Sequence, residues 1–483
     1  MKTNNSPKKN YIYNIIYQIL ILIIPLITSP YLSRVVGVNG IGIYSYRYSI
    51  VYYFMLLTLL GVNNYGNRTI AKVRENKENL SKKFWSIYCI QLFMGVSMLI
   101  VYNLYVSISN TEYKNIAYID NLFIISSILD INWFFFGLEE FKKTITRNTI
   151  IKIGNIILIF AFIKSTTDLW KYTLIVSGMT CISQLLMWFY LRNKVKFVKV
   201  TLNDIVSHFK ANIILFVPVI AVSLYKIMDK IMLGIISGVG EVGYYEQAEK
   251  IINIPLTIIT SLGTVMLPRI SNISANGSEN QILVYINKSI KFVMFLSMSM
   301  CFGLVAIGES FAPLFYGSEF GKSGILIAML ALTLPFLSFA NVIRTQYLIP
   351  KEKDKIYIIS VTLGAVVNLI SNIILISKLG SIGACIGTIL AEAIVMIYQT
   401  VSVKNNIDIK KNLKISKVFL IKAIIMFIVI YPINFFQIDS TVRIGIQVSL
   451  GMLIYIALNF KYILYELNVK EIILKFTRKK VKV

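Results

Sequence analysis

Five cations, Arg34, Arg47, Lys226, Lys230 and Lys250, stand inside or at the ends of long apolar runs. A charge placed there costs about 2.5–3.5 kcal/mol to insert, so it normally faces water or a partner. An anionic ligand meets that need, and phosphate most directly, because guanidinium and ammonium donors give its oxygens charge-assisted hydrogen bonds. Lys226 and Lys230 are four residues apart and share one helix face. Two other readings stay open. Arg34 and Lys250 lie near run ends, where snorkelling to the headgroups explains them equally. Asp229 can neutralise either neighbouring lysine. The acids Asp229, Glu246, Glu249 and Glu392 are the candidate sites for a coupling proton or sodium ion. Arg68 and Arg269 each follow an apolar run on its basic side and are candidates for a gate. His208 is the only histidine, and Cys89, Cys181, Cys301 and Cys385 all lie in apolar runs. Histidine-based metal sites and a disulfide framework are therefore not expected, nor is a cofactor or a catalytic residue.

The elements that carry these residues are membrane helices. The chain has 483 residues, is 56% hydrophobic and bears a formal charge of +26. That hydrophobicity excludes a soluble protein. The positive charge sits in short breaks between apolar stretches of about 20 residues, the length needed to cross the hydrocarbon, so it does not point to nucleic acid. Fourteen spans are read, the first at 11–32, the second at 41–62 with a basic connection at 63–83 after it, the fourth at 115–138, the seventh and eighth at 211–236 and 248–267, the last two at 418–437 and 443–464. Alternate breaks hold 36 of the 49 lysines and arginines, and the opposite breaks hold seven. Cytoplasmic loops collect such residues, so both termini are expected in the cytoplasm and the protein in the plasma membrane. Lys2, Lys8 and Lys9 precede an apolar run too long for a signal peptide. No loop is long enough for a folded domain, which excludes an ATP-driven pump and argues against a glycan polymerase.

A shift of 201 residues aligns Val38 with Val239, Gly42 with Gly243, Tyr44 with Tyr245 and Arg68 with Arg269. An even number of helices separates the copies, so the repeats are parallel. The expected fold is all-α and polytopic. It has a six-helix lobe at 1–210, a second at 211–403, and helices 13 and 14 with a basic tail at 404–483.

The segments SPYLSRVVGVNGIGIYSY (29–46), LLGVNNYGNRTIA (59–71), LDINWFFFGLEEFKKTITRN (129–148), GAVVNLISNIILISKLGSIGACIGTILAE (364–392) and the whole of 215–271 resemble the Wzx-type polysaccharide flippases. These belong to the multidrug/oligosaccharidyl-lipid/polysaccharide exporter superfamily, similar in fold to MATE transporters and lipid II flippases. The resemblance implies two lobes around a cationic cavity that opens alternately to each face. It implies a cargo of lipid-linked oligosaccharide on undecaprenyl diphosphate, whose tail stays among membrane lipids near spans 13 and 14. Polysaccharide polymerase and glycosyltransferases would be the partners. Arginines of related lipid flippases at the end of helix 1 and in helix 2 match Arg34 and Arg47. Lys250 stands where span 8 would contribute its basic residue, a departure from arginine. Arg68 and Arg269 match the inward arginines. A multidrug or cation antiporter of the same fold is the alternative. It would need buried carboxylates, whereas the surplus here is basic. A glycan polymerase is the more distant alternative.

Overall fold

The computed structural model describes residues 7–109, 113–275 and 279–466. Among them every regular element is helical, as an apolar solvent demands, because a helix satisfies its own backbone groups. Contacts divide the chain into two compact units, Met1–Glu246 and Gln247–Val483.

The first unit opens with α1 (Pro7–Leu59), which runs through both of the first two expected spans. The break expected between them is a kink at Gly37, whose φ of 71° only glycine adopts without strain. After it come α2 (Val62–Val73) and α3 (Lys77–Ile108). The stretch 63–83 is read from sequence as a basic connection, yet α2 lies within it. Val62, Gly66 and Ile70 form its buried stripe, while Asn63, Asn64 and Arg68 are exposed. Gly66 is required by contact: a Cβ there would sit 2.4 Å from the ring of Trp133.

The expected fourth span, 115–138, is three short helices, α4 (Lys114–Ile119), α5 (Asn121–Ile128) and α6 (Asn132–Gly137). The reason is polar. Asp120, at the first break, turns into the bundle. At the second break, Gln91 of α3 donates to the carbonyls of Ser127, Ile128 and Asp130 at 2.7, 3.1 and 2.8 Å. Gln91 also accepts from the indole of Trp133 at 3.1 Å. Carbonyls opened by the break are thus satisfied from a neighbouring helix. The unit continues with α7 (Phe141–Phe162), α8 (Leu169–Leu191) and α9 (Leu202–Ile236). α9 packs on α1 and on the turn that precedes α2, at one glycine each. A Cβ on Gly61 would meet the Asn212 carbonyl at 2.2 Å, and one on Gly234 would meet the Tyr46 ring at 2.1 Å.

α10 (Val239–Ala275) begins in the first unit and continues into the second. The second unit adds α11 (Glu279–Tyr316), α12 (Gly321–Ala331), α13 (Thr333–Ile343), α14 (Asp354–Leu379), α15 (Ser381–Ser402), α16 (Ile409–Ile430), α17 (Ser440–Leu458) and the short α18 (Phe460–Tyr465). Its core gathers Ile286, Ile290 and Val293 of α11, Phe339 and Val342 of α13, Phe419 of α16 and Tyr455 of α17. Eleven helical stretches among the described residues are long and apolar enough to span a bilayer. With the two arms of α1 and with α9, that gives fourteen long helical segments, so the chain is a multi-pass membrane protein.

At the basic end of the first unit, His208 of α9 is almost fully buried. Its Nδ1 meets the hydroxyl of Tyr65, and its Nε2 lies 3.3 Å from Lys83 Nζ. Burial, and then the nearby Lys83 charge, lower its pKa against a weaker opposing pull from Asp204. A base whose folded pKa is depressed binds fewer protons folded than unfolded. Stability is then complete above the ordinary histidine range and falls as pH drops through and below it. We expect the wild-type melting temperature to fall between pH 7.5 and 5.5 by more than that of His208→Gln. Equal slopes would show that His208 does not titrate as its surroundings dictate.

Candidate functional site

In the first unit the charged residues gather around α1. Arg34 lies just before the Gly37 kink and is exposed. Arg47, a little over three turns further on, is only 2% exposed. Its Nε donates to Asp120 at 3.1 Å, and its Nη2 donates to the Tyr102 hydroxyl at 3.2 Å. That hydroxyl donates onward to the Ala117 carbonyl at 3.1 Å. In this state Arg47 is occupied by protein groups and is not offered to an anion.

Arg34 and Arg47 therefore differ sharply in setting, although sequence treats them alike. Asp120 is the residue that sequence reading missed. It lies 73 positions from Arg47, in a stretch read as a plain apolar span. Two acids in such a run, Asp120 and Asp130, were the available signal.

A second cluster joins α1, α9 and the first turns of α10. Lys230 pairs with Glu246 at 2.7 Å, and Ser45 donates to the same Glu246 oxygen at 2.7 Å. The buried Asp229 accepts from the Tyr245 hydroxyl at 2.9 Å. Lys230, Glu246 and Asp229 thus come together, as a positive and two negative groups interleaved with hydroxyls. The side chain of Lys226 lies outside the described residues.

Ser45 and Glu246 are separated by the 201 residues of the repeat, and the backbone repeats the relation. A Cβ on Gly42 would fall 1.8 Å from the carbonyl oxygen of Val239. One on Gly243 would fall 2.2 Å from that of Val38. Each copy's glycine receives the other copy's valine carbonyl, a reciprocal crossing that only two glycines allow.

Beside this crossing α1 carries tyrosines at i, i+4 and i+8. The rings of Tyr44 and Tyr48 stack with centroids 6.0 Å apart, Tyr48 and Tyr52 follow at 6.2 Å, and Tyr172 packs on Tyr44 at 4.6 Å. The spacing of this stripe is plain in YSYRYSIVYYF, but nothing local says that the rings meet one another. Half-buried phenols present both a flat apolar face and a hydroxyl, which suits ligands carrying C–H faces and hydroxyl groups.

In the second unit Lys250 and Glu249 are half-buried on α10, and Glu392 is buried on α15. Arg269 is exposed, with its guanidinium 4.5 Å above the Tyr285 ring and hydrogen-bonded to that hydroxyl. Arg68, on the exposed side of α2 in the first unit, is its counterpart in the repeat. Among the described residues no three histidine, cysteine, aspartate or glutamate side chains gather in a way that could hold a metal ion.

Residues 8–274 match the family described as "Polysaccharide biosynthesis protein". The chain is 24% identical over 392 residues to a "Putative O-antigen transporter" of Shigella dysenteriae, covering 79% of this chain and 96% of that one. A solved structure of the "Lipid II flippase MurJ, inward closed conformation" superposes with a TM-score of 0.73 at 21% identity, over 94% of this chain and 99% of that one. An inward-facing multidrug resistance MATE family transporter superposes at 0.64 and 14% identity, over 84% of this chain and 96% of that one. At those identities the two structures establish the shared fold alone.

Proposed function

The chain belongs to the polysaccharide biosynthesis protein family, and from that premise we propose that it flips lipid-linked oligosaccharides across the plasma membrane. What supports the reading most is likeness along almost the whole length of an O-antigen transporter. The physical counterpart is the set of basic side chains within apolar helices.

The cargo on this reading is a short glycan on a polyprenyl diphosphate such as undecaprenyl diphosphate. Both termini face the cytoplasm, where the cargo is made. Transport is by alternating access, with the site facing one side at a time. The exposed Arg34 is the first phosphate ligand, with Lys230, Lys226 and Lys250 adding charge. Arg47 joins them by exchanging the Asp120 carboxylate for a phosphate oxygen, two acceptors of the same geometry for a guanidinium. The tyrosine stripe on α1 offers faces and hydroxyls to the sugars. Arg68 and Arg269 act at the cytoplasmic gate. Asp229, Glu246, Glu249 and Glu392 are the carboxylates available to a coupling ion. Polymerase and glycosyltransferases would be the functional partners.

A cargo with two negative charges leaving a negative interior gains about 4–5 kcal/mol at 100 mV, from about 2.3 kcal/mol per charge. The membrane potential then favours net export, provided the protein's own charges do not move oppositely.

The experiment is complementation of a strain lacking this protein. Arg34→Ala and Lys250→Ala should each cut surface glycan at least tenfold while protein abundance holds. The lipid-linked precursor should accumulate on the inner leaflet. Normal surface glycan in both variants would overturn the phosphate-ligand assignment. Normal glycan in the strain lacking the protein would overturn the transport function itself.

A further inference from the structure

Lys422 is a lysine within the apolar run of α16, four residues into the span read at 418–437, about 6 Å along the axis. Its ammonium turns back to donate to Asn459 Oδ1 at 3.1 Å, at the junction of α17 and α18. Asn459 is fully buried, and its own Nδ2 is fixed on the Tyr455 carbonyl at 2.9 Å, so the acceptor cannot swing away. This is a neutral partner, which orients the charge without cancelling it.

Lys291 of α11 reaches the same junction, because its ring partner Tyr462 lies one turn beyond Asn459 on α18. It stands 5.1 Å over the ring of Tyr462 and is paired with Glu466, whose side chain is half exposed. Lys288, one turn earlier on α11, is exposed. Lys422 and Lys291 thus converge on α18 with one removable carboxylate at Lys291, between helices whose exposed apolar side chains include Val418, Ile421, Ile425 and Phe460. Snorkelling explains one lysine at an interface. It does not explain two held beside each other, one of them on a buried amide.

We propose that Lys422 and Lys291, over the Tyr462 ring, form a site for the headgroup phosphate of a resident anionic glycerophospholipid. Its acyl chains lie along the apolar faces of α16 and α18, and its phosphate takes the place of Glu466 at Lys291. The site needs no glycan cargo and is separate from the α1 cluster. Occupancy would tie α11 to α16, α17 and α18 and make the second unit's C-terminal helices a lipid-dependent part of the fold. Each lysine should contribute about fivefold to the preference for an anionic over a neutral lipid.

The test uses the full-length purified protein, wild type and Lys422→Gln, Lys422→Arg and Lys291→Gln, with no glycan present. Each is placed in nanodiscs of phosphatidylcholine with or without phosphatidylglycerol. Retained lipids are counted by native mass spectrometry, and melting temperature is followed in parallel. Wild type should retain phosphatidylglycerol selectively and melt higher with it, and inorganic phosphate should give no shift. Lys422→Arg should keep the preference, and each Gln variant should lose about fivefold. Should a Gln variant prove too unstable to purify, the other and Lys422→Arg still decide. Unchanged retention in the Gln variants, or an equal shift from inorganic phosphate, would overturn the proposal. Because no cargo is used, a failed transport assay leaves this result standing, and the reverse holds too.

Discussion

Gly42→Val should abolish at least nine-tenths of glycan export while leaving the protein in the membrane. Gly42 has ordinary helical backbone geometry, so the valine meets no intrinsic strain. What it meets is the Val239 carbonyl oxygen, 1.8 Å from where its Cβ would go, and the Gly243 nitrogen at 3.1 Å. These are backbone atoms at the start of α10, which cannot rotate aside as a side chain would. An ordinary contact requires the two segments to part by about 1.5 Å. Overpacking of this kind costs on the order of 1–3 kcal/mol, a shift of about 5- to 150-fold against the state seen here. On the proposed topology this crossing lies at the outward end, so the valine biases the protein toward outward opening. A Ser45→Cys reporter, buried in this state, should then react faster with a membrane-impermeant maleimide added outside. Gly243→Val should do the same, since its Cβ would strike the Val38 carbonyl at 2.2 Å. Wild-type export together with unchanged labelling in both variants would show that the crossing never has to hold closed.

That pair of glycines also shows what sequence can convey. Their alignment under a 201-residue shift is visible without coordinates, as are the membrane spans and the charge bias of the loops, because each is a periodic or compositional property of neighbouring residues. That equivalent residues touch, Gly42 with Val239 and Ser45 with Glu246, is not visible, because a repeat does not specify how its copies meet. Other features were hidden for related reasons. Gly37 kinks α1 without a polar loop, so the first two spans share one helix. The short helix α2 lies inside a segment whose lysines and asparagines read as a connection. Asp120 and Asp130 interrupt the fourth span, but nothing local says that one acid turns toward Arg47 and that Gln91 covers the carbonyls freed at the other. Charge was legible as a need for partners. Which partner meets which charge depends on tertiary packing.

Arg47 carries the second large effect, and it separates stability from transport. Truncating it to alanine leaves Asp120, itself 1% exposed, without its cation and holding only the Tyr102 hydroxyl. Breaking a buried pair from one side costs about 3–5 kcal/mol, because a charge is stranded in a dry interior. We therefore expect Arg47→Ala to lower abundance several-fold and to reduce the melting temperature clearly. Replacing both partners, as in Arg47→Leu with Asp120→Leu, removes the stranded charge and should recover most of the stability, since apolar substitutes for a buried pair are often neutral. Export is the informative readout in that double variant. If Arg47 exchanges Asp120 for a cargo phosphate, a stable protein lacking both residues stays inactive. If Arg47 only braces α1 against α3 and the α4–α5 turn, restored folding restores export as well. Thermal melting and surface glycan, measured on the same three strains, distinguish the two. A double variant that melts like wild type and also exports like wild type would remove Arg47 from the list of cargo ligands, and the phosphate would then rest on Arg34 and the lysines.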